Sequence, residues 1–250
     1  MTIQPERMER PIVRVRKELK TFEEIKEAML MACKIMDYFG LIQGFGHVTS
    51  RLPDTTNILV TPKKPPGLAK EEELVIVDLQ GKKVKGEATP LGEIAMHLGI
   101  YRKRPDVGAI CRFHSEMASV FGALNRSVKV VHALGYVLGP EVRVLHFPDI
   151  RHTPAMTEEM GKLITDSNGV IFRGNGAATF GTNVIDACVR AMFFEESARI
   201  QYKASLIGEP IYLPIEEMNR RNEVYWNMPE YDVYGRAWEY YCSRINQQSR

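Results

Sequence analysis

Short apolar runs and segments of helical periodicity alternate along most of this 250-residue chain, and this alternation limits its fold more than any other feature. Thr21 followed by Glu24 has the spacing of a capping box, and apolar residues recur behind it at helical spacing, which predicts a first helix over 22–39. The same periodicity over 184–206 predicts a long helix. Strands and helices in alternation are typical of an α/β fold.

Shorter elements are predicted between these two helices. They are strands at 47–51, 57–61, 107–111, 128–131, 142–145 and 169–172, a hairpin of 73–78 with 82–85, and helices over 91–104, from about 115, and over 157–164. Since Gly, Pro and Ser are nowhere dense enough for a linker, we expect a single domain over 21–208. A polar extension at 1–20 precedes it, and a tail at 209–250 follows it.

The tail is rich in aromatic side chains. They are Tyr225, Trp226, Tyr231, Tyr234, Trp238, Tyr240 and Tyr241. Burial of such rings is favourable, so we expect the tail to dock on the domain or on a neighbouring subunit. A second hypothesis is that Tyr234, Trp238 and Tyr240 close over an active site.

Charge and cysteine content argue against several functional classes. Lys and Arg total 33 against 31 Asp and Glu, a net charge of +2, so the chain lacks the one-signed field that nucleic acids or anionic membranes attract. The four cysteines are far apart, which favours a reducing compartment over a disulfide framework or a cysteine zinc site. No apolar run reaches the roughly 18 residues of a membrane span, and no signal peptide is recognisable. We therefore expect a cytoplasmic protein with a small-molecule substrate and no nucleic-acid or membrane partner.

Four short motifs place polar side chains beside glycines or turns, at predicted strand ends and helix starts, where ligand-binding residues often collect. They are Gly46-His47-Val48-Thr49-Ser50-Arg51, Pro90-Leu91-Gly92-Glu93, Arg112-Phe113-His114-Ser115 and Arg173-Gly174-Asn175-Gly176. Each alone also has a local explanation, such as Glu93 favouring a helix N-terminus or Asn175 favouring a turn. Their order and spacing indicate one shared site.

Together with the lead-in Arg104-Pro105-Asp106-Val107, these motifs resemble those of the class II aldolase and adducin head family over about residues 22–206. The resemblance implies an α/β/α sandwich with a largely antiparallel central sheet, commonly assembled as a homotetramer with active sites between subunits. It also implies lyase chemistry, in which a divalent metal held by three histidines stabilises an enediolate. Glu93 matches the family's glutamate, and His114 matches the second histidine of its His-x-His-Ser pair.

Two of the three ligand positions implied by the resemblance are occupied by other residues. Arg112 stands at the first histidine of the pair, and Asn175 stands at the histidine of a later His-Gly. A guanidinium has no lone pair to give a metal, and an amide offers only a weak carbonyl ligand. If a divalent metal binds, the candidate ligands are His114 and Glu93, with His47 and His97 as further candidates. Otherwise no cofactor is expected.

The resemblance also bears on the substrate. Leu91-Gly92 stands where the sugar-phosphate aldolases of the family have phosphate-binding serines, so the substrate need not carry a phosphate. Lys63 and Lys64 either supply that charge or form a solvated loop tip. His47 makes the chain more similar to relatives that look like decarboxylases of aromatic or pyridine carboxylates than to the aldolases with Gly-Asn at this position.

From these observations we predict a carbon–carbon lyase that cleaves or decarboxylates a small oxygenated carboxylate through an enolate-like intermediate. Glu93 and His114 are the predicted catalytic residues, for proton transfer. The predicted substrate-binding residues are Arg112, Asn175, His47, Gly46 and Thr61. In this hypothesis Arg112 replaces the metal as a fixed cation that binds the substrate anion, and Asn175 donates a hydrogen bond to the oxyanion.

Two alternatives stay open at this point. In the first, the chain is a non-catalytic binding or scaffold homologue, and Arg112 with Glu93 forms a buried ion pair that only stabilises the fold. In the second, it is an isomerase, epimerase or oxygenase variant of the same fold.

Overall fold

A computed structural model describes residues 18–146, 153–221, 228 and 232–248 of the chain. Its helices are α1 (Phe22–Tyr38), α2 (Ile94–Lys103), α3 (Glu116–Leu124), α4 (Pro154–Leu163), α5 (Val184–Ile207), α6 (Ile215–Arg221) and α7 (Val233–Gln248). Its strands are β1 (His47–Arg51), β2 (Ile58–Val60), β3 (Val75–Val77), β4 (Lys83–Lys85), β5 (Ala109–Phe113), β6 (Val128–Lys129), β7 (Glu141–Val142), β8 (Val144–Leu145), β9 (Gly169–Phe172) and β10 (Ala177–Gly181). Among these helices, none is both long and apolar enough to cross a membrane.

The central sheet has the strand order β4-β3-β2-β1-β5-β10-β9-β8. Its pairings are antiparallel apart from the parallel pair β8–β9, which confirms the prediction of an α/β fold with a largely antiparallel central sheet. In its middle, His47 of β1 lies opposite Arg112 of β5, and Arg112 lies opposite Ala178 of β10. Side chains of directly opposed residues project from the same face, so the register places His47 beside Arg112.

Alternate side chains of the central strands enter two separate hydrophobic cores, as the period of a strand requires. Cys111 and Ala177 belong to the core that also contains side chains of α1, α3, α5 and α7. Ile110 and Ala178 belong to the core that contains side chains of α2 and α4. Helices therefore cover both faces of the sheet, and His47 and Arg112 project toward the face that carries α2.

Local sequence signals set the first helix. The hydroxyl of Thr21 accepts a hydrogen bond from the Glu24 amide at 3.2 Å, and the Glu24 carboxylate accepts one from the Thr21 amide at 3.0 Å. This is the predicted capping box, and α1 ends at Tyr38, one residue before the predicted end.

Three features of the sheets differ from the prediction. The strand expected at 142–145 is divided into β7, which pairs with β6 in a separate two-stranded sheet, and β8, which joins the central sheet. The strand expected at 107–111 runs instead from Ala109 to Phe113, so Arg112 lies inside β5 and not beyond its end. β10 was not predicted at all, because three of its five residues are Ala or Gly, which are depleted in strands. It forms a strand because β5 and β9 bind its two edges.

The C-terminal helix α7 packs in the core that contains α1 and α5. Tyr234 and Trp238 are buried there, whereas Tyr240 is 56% exposed. The Tyr234 hydroxyl accepts a hydrogen bond from Arg190 at 3.0 Å, and Arg190 donates to the carbonyl of Phe180 in β10. This contact lies at the opposite end of β10 from Asn175, so within its own chain Tyr234 does not close over the predicted site. Three aromatic residues of the tail, Tyr225, Trp226 and Tyr231, lie outside the described residues.

Candidate active site

Arg112 is the centre of the site, and its guanidinium is held by the protein itself. The residue is 1% exposed. Its Nη1 donates to the carbonyl oxygens of Phe113 at 2.7 Å and Ala177 at 3.3 Å, and its Nη2 donates to the carbonyl oxygen of Asn175. The guanidinium carbon lies 4.9 Å from the centre of the Phe172 ring. The Arg112 guanidinium is therefore a cation held in a fixed position near the C-terminal end of β5.

The hydrogen bonds of Arg112 bear on the hypothesis that its guanidinium binds the substrate anion. A bidentate clamp needs two parallel N–H groups that are free and accessible. Here the backbone carbonyls bind the terminal nitrogens, and the side chain is buried. Burial lowers the pKa of Arg112 to about 10 although the charge of Glu93 opposes this, so the side chain stays cationic at neutral pH.

Glu93 is the carboxylate partner of this cation. It is the cap residue before α2, and its side chain is 39% exposed. Its Oε2 lies 3.6 Å from Arg112 Nε and 4.0 Å from His47 Nδ1. The carboxylate thus faces a fixed cation on one side and solvent on the other.

Two imidazoles adjoin the ion pair. Burial, and secondly the charge of Arg112, lower the pKa of His47 to about 4, and its side chain is 18% exposed. The same two causes, in the same order, lower the pKa of His114 to about 4, although Glu93 opposes the shift. Both rings are therefore neutral near pH 7, and each offers one N–H donor and one lone pair.

Glycines let the backbone approach Arg112 closely. Gly46 has φ +149°, and a Cβ there would lie 2.8 Å from the carbonyl oxygen of Arg112. Gly176 has φ +68°, and a Cβ there would lie 2.9 Å from Arg112 Nη1 and clash with the carbonyl oxygen of Phe113. A side chain at either glycine would displace the strand end that carries the guanidinium.

A buried polar chain fixes α2 against β1 behind the site. The ring centroids of His97 and His47 are 5.7 Å apart in an edge-to-face arrangement. His97 Nδ1 and the Thr49 hydroxyl are 2.9 Å apart, and the same hydroxyl lies 2.9 Å from the hydroxyl of Tyr101. Burial raises the pKa of Tyr101, so this hydroxyl stays protonated. Since Glu93 directly precedes α2, these hydrogen bonds between α2 and β1 also help to fix the Glu93 carboxylate relative to His47.

The structure brings five of the predicted site residues together, namely Glu93, Arg112, His47, His114 and Gly46. Asn175 contributes its backbone carbonyl to Arg112, while its side chain is exposed at the rim. Thr61 is fully buried, and its hydroxyl accepts a hydrogen bond from the Val48 amide at 3.2 Å. Its observed contact is therefore internal to the sheet.

Phe45, which the sequence analysis did not single out, lies beside His114. Its ring centroid lies 6.4 Å from that of His114, with an interplanar angle of 70°, and the residue is 77% exposed. An aromatic residue between Gly44 and Gly46, directly before a site motif, was the available signal.

The donor set does not fit the divalent metal that the resemblance implies. Across the described ranges, no three His, Cys, Asp or Glu side chains converge as a ligand group. A dication beside Glu93 would also meet the fixed positive charge of Arg112, which has no lone pair to offer it. No catalytic step is therefore assigned to a metal.

Comparisons with known proteins agree with this architecture. Residues 27–202 match the family described as Class II Aldolase and Adducin N-terminal domain. The chain is 32% identical to 5-deoxy-D-ribulose 1-phosphate aldolase of Bacillus thuringiensis serovar kurstaki, over 60% of this chain and 70% of that protein. It is 25% identical to an L-ribulose-5-phosphate 4-epimerase of Salmonella paratyphi B, over 78% of this chain and 91% of that protein. A solved structure of L-fuculose 1-phosphate aldolase has a TM-score of 0.75 and 26% identity, covering 82% of this chain and 97% of that one.

Proposed function

The chain belongs to the class II aldolase and adducin family, and from this premise we propose that it is a carbon–carbon lyase. In this proposal it cleaves or decarboxylates a small oxygenated carboxylate through an enolate-like intermediate. The relatives compared above are two aldolases and an epimerase, so an enzymatic role is the first hypothesis. The observation that supports it best is a half-exposed carboxylate, Glu93, set between a buried cation and a neutral imidazole.

Glu93 is the proposed proton acceptor. Its exposed side is open to a substrate, and its other side faces the Arg112 guanidinium. In an aldol cleavage, Glu93 takes the proton of a substrate hydroxyl, the O–H electron pair forms the carbonyl, and the electron pair of the breaking carbon–carbon bond forms the enolate. In a decarboxylation, the electron pair of that bond forms the enolate as CO2 leaves. A protonated Glu93 then gives its proton to the enolate carbon.

His114 is the proposed donor to the oxygen on which negative charge develops. Because its pKa is about 4, the ring is neutral at pH 7 and donates an N–H hydrogen bond without bringing a charge of its own. A donor already in place costs little reorganisation when the charge forms. His47, the Gly46 backbone and the exposed Asn175 side chain are the proposed substrate contacts around it.

Arg112 acts in this proposal as an electrostatic stabiliser at a distance and not as a clamp. Its guanidinium stays in place through the reaction because backbone carbonyls hold it. A fixed cation near a half-exposed site lowers the energy of an enolate within several ångströms of it. We therefore propose a metal-independent site. A homotetramer with active sites between subunits, a cytoplasmic location and a substrate contact from Thr61 remain predictions.

The test is proton NMR of wild-type protein in D2O with a panel of short hydroxy- and oxo-carboxylates. We expect C–H exchange, aldehyde release or loss of CO2 for at least one of them. Glu93→Gln should slow this reaction at least about 100-fold, because general acid–base groups contribute about that much. Glu158→Gln, an exposed carboxylate of α4 paired with Lys103, is the matched control and should leave it unchanged. An inactive wild type, or an active Glu93→Gln variant, would contradict the proposal.

A non-catalytic scaffold is the second candidate, and one observation favours it. Backbone carbonyls already occupy the terminal nitrogens of Arg112, as expected if its pair with Glu93 only stabilises the fold. Wild-type protein would then be silent in the same NMR experiment. An epimerase, the activity named for one relative, would invert a carbinol centre without net cleavage.

A further inference from the structure

A groove between α1 and α7 lies outside the candidate active site. It has a volume of about 390 Å³, and α1, the start of α5 and α7 line it. On α1 it reaches only residues 24–31, whereas Leu41, beyond the C-terminal end of that helix, accepts a hydrogen bond from the His114 amide. A helix rises 1.5 Å per residue, so roughly 15 Å of α1 separates this α1–α7 groove from the active-site end.

Helical spacing determines which side chains line the α1–α7 groove. The lining positions on α1 are 24, 27, 28 and 31, which form one face of a helix, and those on α7 are 238 and 242, one turn apart. Trp238 is 8% exposed and Ile185 of α5 is 1% exposed. Glu24 and Glu27 are exposed residues. The groove therefore combines an apolar floor with a rim that carries two carboxylates.

The rim of the groove is negatively charged. None of the described Lys, Arg or His side chains forms an ion pair with Glu27, and Lys26, its neighbour in sequence, binds two other carboxylates instead. The Glu24 carboxylate accepts hydrogen bonds from the backbone amides at 20 and 21, at 2.8 and 3.0 Å. These neutral donors hold the carboxylate in place without cancelling its charge. An anionic ligand would be repelled here, whereas a cation would be attracted.

The lining also favours an organic cation over a metal ion or a neutral molecule. A divalent metal needs several ligand side chains at once, and no three suitable ones converge within the described ranges. A neutral molecule would leave Glu27 without a counter-ion. An organic cation can pair with Glu27, and the indole face of Trp238 attracts positive charge as well as apolar surface. The volume is that of a small-molecule site, which makes a protein segment a poorer match.

We propose that the α1–α7 groove is a binding site for an organic monocation with an apolar body, such as an arylalkyl ammonium ion. The charged group pairs with Glu27, and the body packs on Trp238, Met31 and Ile185. This site goes beyond the proposed function and does not depend on it, because none of these residues lies in the candidate active site. An exposed ion pair contributes roughly a two- to five-fold gain in affinity.

The test compares 2-phenylethylammonium with 2-phenylethanol, which share an apolar body but differ in charge. Trp238 emission, measured in a Trp226→Phe background that leaves one tryptophan, reports binding, and ligand-observed NMR of the unsubstituted protein checks the affinities. The ammonium ion should bind roughly two- to five-fold more tightly than the alcohol. Glu27→Gln should abolish this preference by weakening the ammonium ion alone. Glu23→Gln, a matched control on the same helix whose carboxylate pairs with Lys26, should leave both affinities unchanged.

Cys242 gives an independent readout of where the ligand binds. It lines the groove, and it is the one cysteine of the four that is not buried. Saturating 2-phenylethylammonium should slow its labelling by a neutral maleimide severalfold. Cys242→Ser should remove the label, which confirms that the measured rate belongs to this thiol.

Four results would overturn the inference: no saturable binding of 2-phenylethylammonium, equal affinities for the ammonium ion and the alcohol, an unchanged preference in Glu27→Gln, or no protection of Cys242. A Cys242 that resists labelling without ligand would also overturn it, because another part of the protein or a second copy would then fill the groove. None of these measurements needs turnover. Their outcome is therefore separate from that of the D2O experiment, which tests the lyase proposal.

Discussion

Two buried arginines lie at opposite ends of β10, and they differ in how their carboxylate partners meet solvent. Arg112 donates to the carbonyl oxygen of Ala177 at the start of the strand, and Arg190 donates to that of Phe180 near its end. Each guanidinium also lies over an aromatic ring, at 4.9 Å for Arg112 and 5.5 Å for Arg190. The two cations are therefore held in similar ways.

Their partners are not alike. Asp186 is fully buried, 3.0 Å from Arg190 Nε, and it also accepts a hydrogen bond from the Thr182 amide. Glu93 is 3.6 Å from Arg112 Nε, and its side chain is 39% exposed. A closed pair can only stabilise the fold, whereas a pair that is open on its carboxylate side can also accept a substrate. The exposure of the carboxylate, more than the buried arginine, distinguishes the candidate active site.

The largest effect should come from breaking the closed pair. Asp186→Ala leaves Arg190 buried without its carboxylate and should lower the free energy of unfolding by about 3–5 kcal/mol. Glu93→Gln should cost less than about 1 kcal/mol, because its partner is held by carbonyls and its own charge is partly solvated. Urea unfolding of both variants measures the contrast. Equal losses would show that the two pairs play the same structural role.

The site around Arg112 and Glu93 should also make the free energy of unfolding depend on pH. The pKa of His47 is about 4 in the folded state and ordinarily about 6.5, so below pH 6.5 the unfolded chain binds more protons at this residue. Stability should therefore fall as the pH decreases from 6.5 to 4, by at most about 3 kcal/mol from His47. Unfolding measured across this range in wild type and His47→Gln checks this. An identical pH dependence of stability in the variant would show that His47 does not cause the loss of stability in acid.

A smaller effect should identify the cause of the low imidazole pKa values. Arg112→Met keeps much of the side-chain volume but removes the charge that disfavours imidazolium at His47 and His114. The pKa of both should rise, yet stay below 6.5, because burial is the larger cause and remains. NMR titration of the ring protons gives the values. His132, whose pKa is lowered by burial without a contribution from Arg112, is the internal reference.

The smallest effect should come from the Tyr234 hydroxyl group, which lies beside the buried pair of Arg190 and Asp186. Tyr234→Phe removes the acceptor of the Arg190 Nε hydrogen bond and should cost about 1 kcal/mol. Turnover in the D2O experiment should not change, since the hydroxyl lies at the opposite end of β10. Altered turnover in a folded variant would show that the two ends of β10 are coupled.

The sequence predicted the fold best where local rules determine structure. The capping box at Thr21 and the helical periodicity after Asn183 gave two helices whose observed ends differ from the predicted ones by one residue each. β10 escaped prediction because pairing with β5 and β9, and not its own side chains, makes it a strand.

For the candidate site, sequence motifs predicted residues that lie close together in the structure, but they did not predict the orientation of the side chains. Glu93, His47 and His114 were predicted from motif order, and the structure places them around Arg112. The inward orientation of Arg112 depends on acceptors at 175 and 177, more than 60 positions away, which no local pattern reveals. The exposure of Phe45 was equally hidden, since a phenylalanine in sequence is as consistent with a core as with a rim.

We propose that a guanidinium held by backbone carbonyls takes the place of a metal ion in this site. Elemental analysis of untagged protein, purified without chelator and then incubated with excess zinc and manganese, tests it most directly. We expect less than about one tenth of an equivalent of metal per subunit, because the ligands present suit no tightly bound divalent ion. Close to one equivalent, lost again in His114→Ala, would contradict the claim and restore metal-assisted chemistry with rearranged ligands.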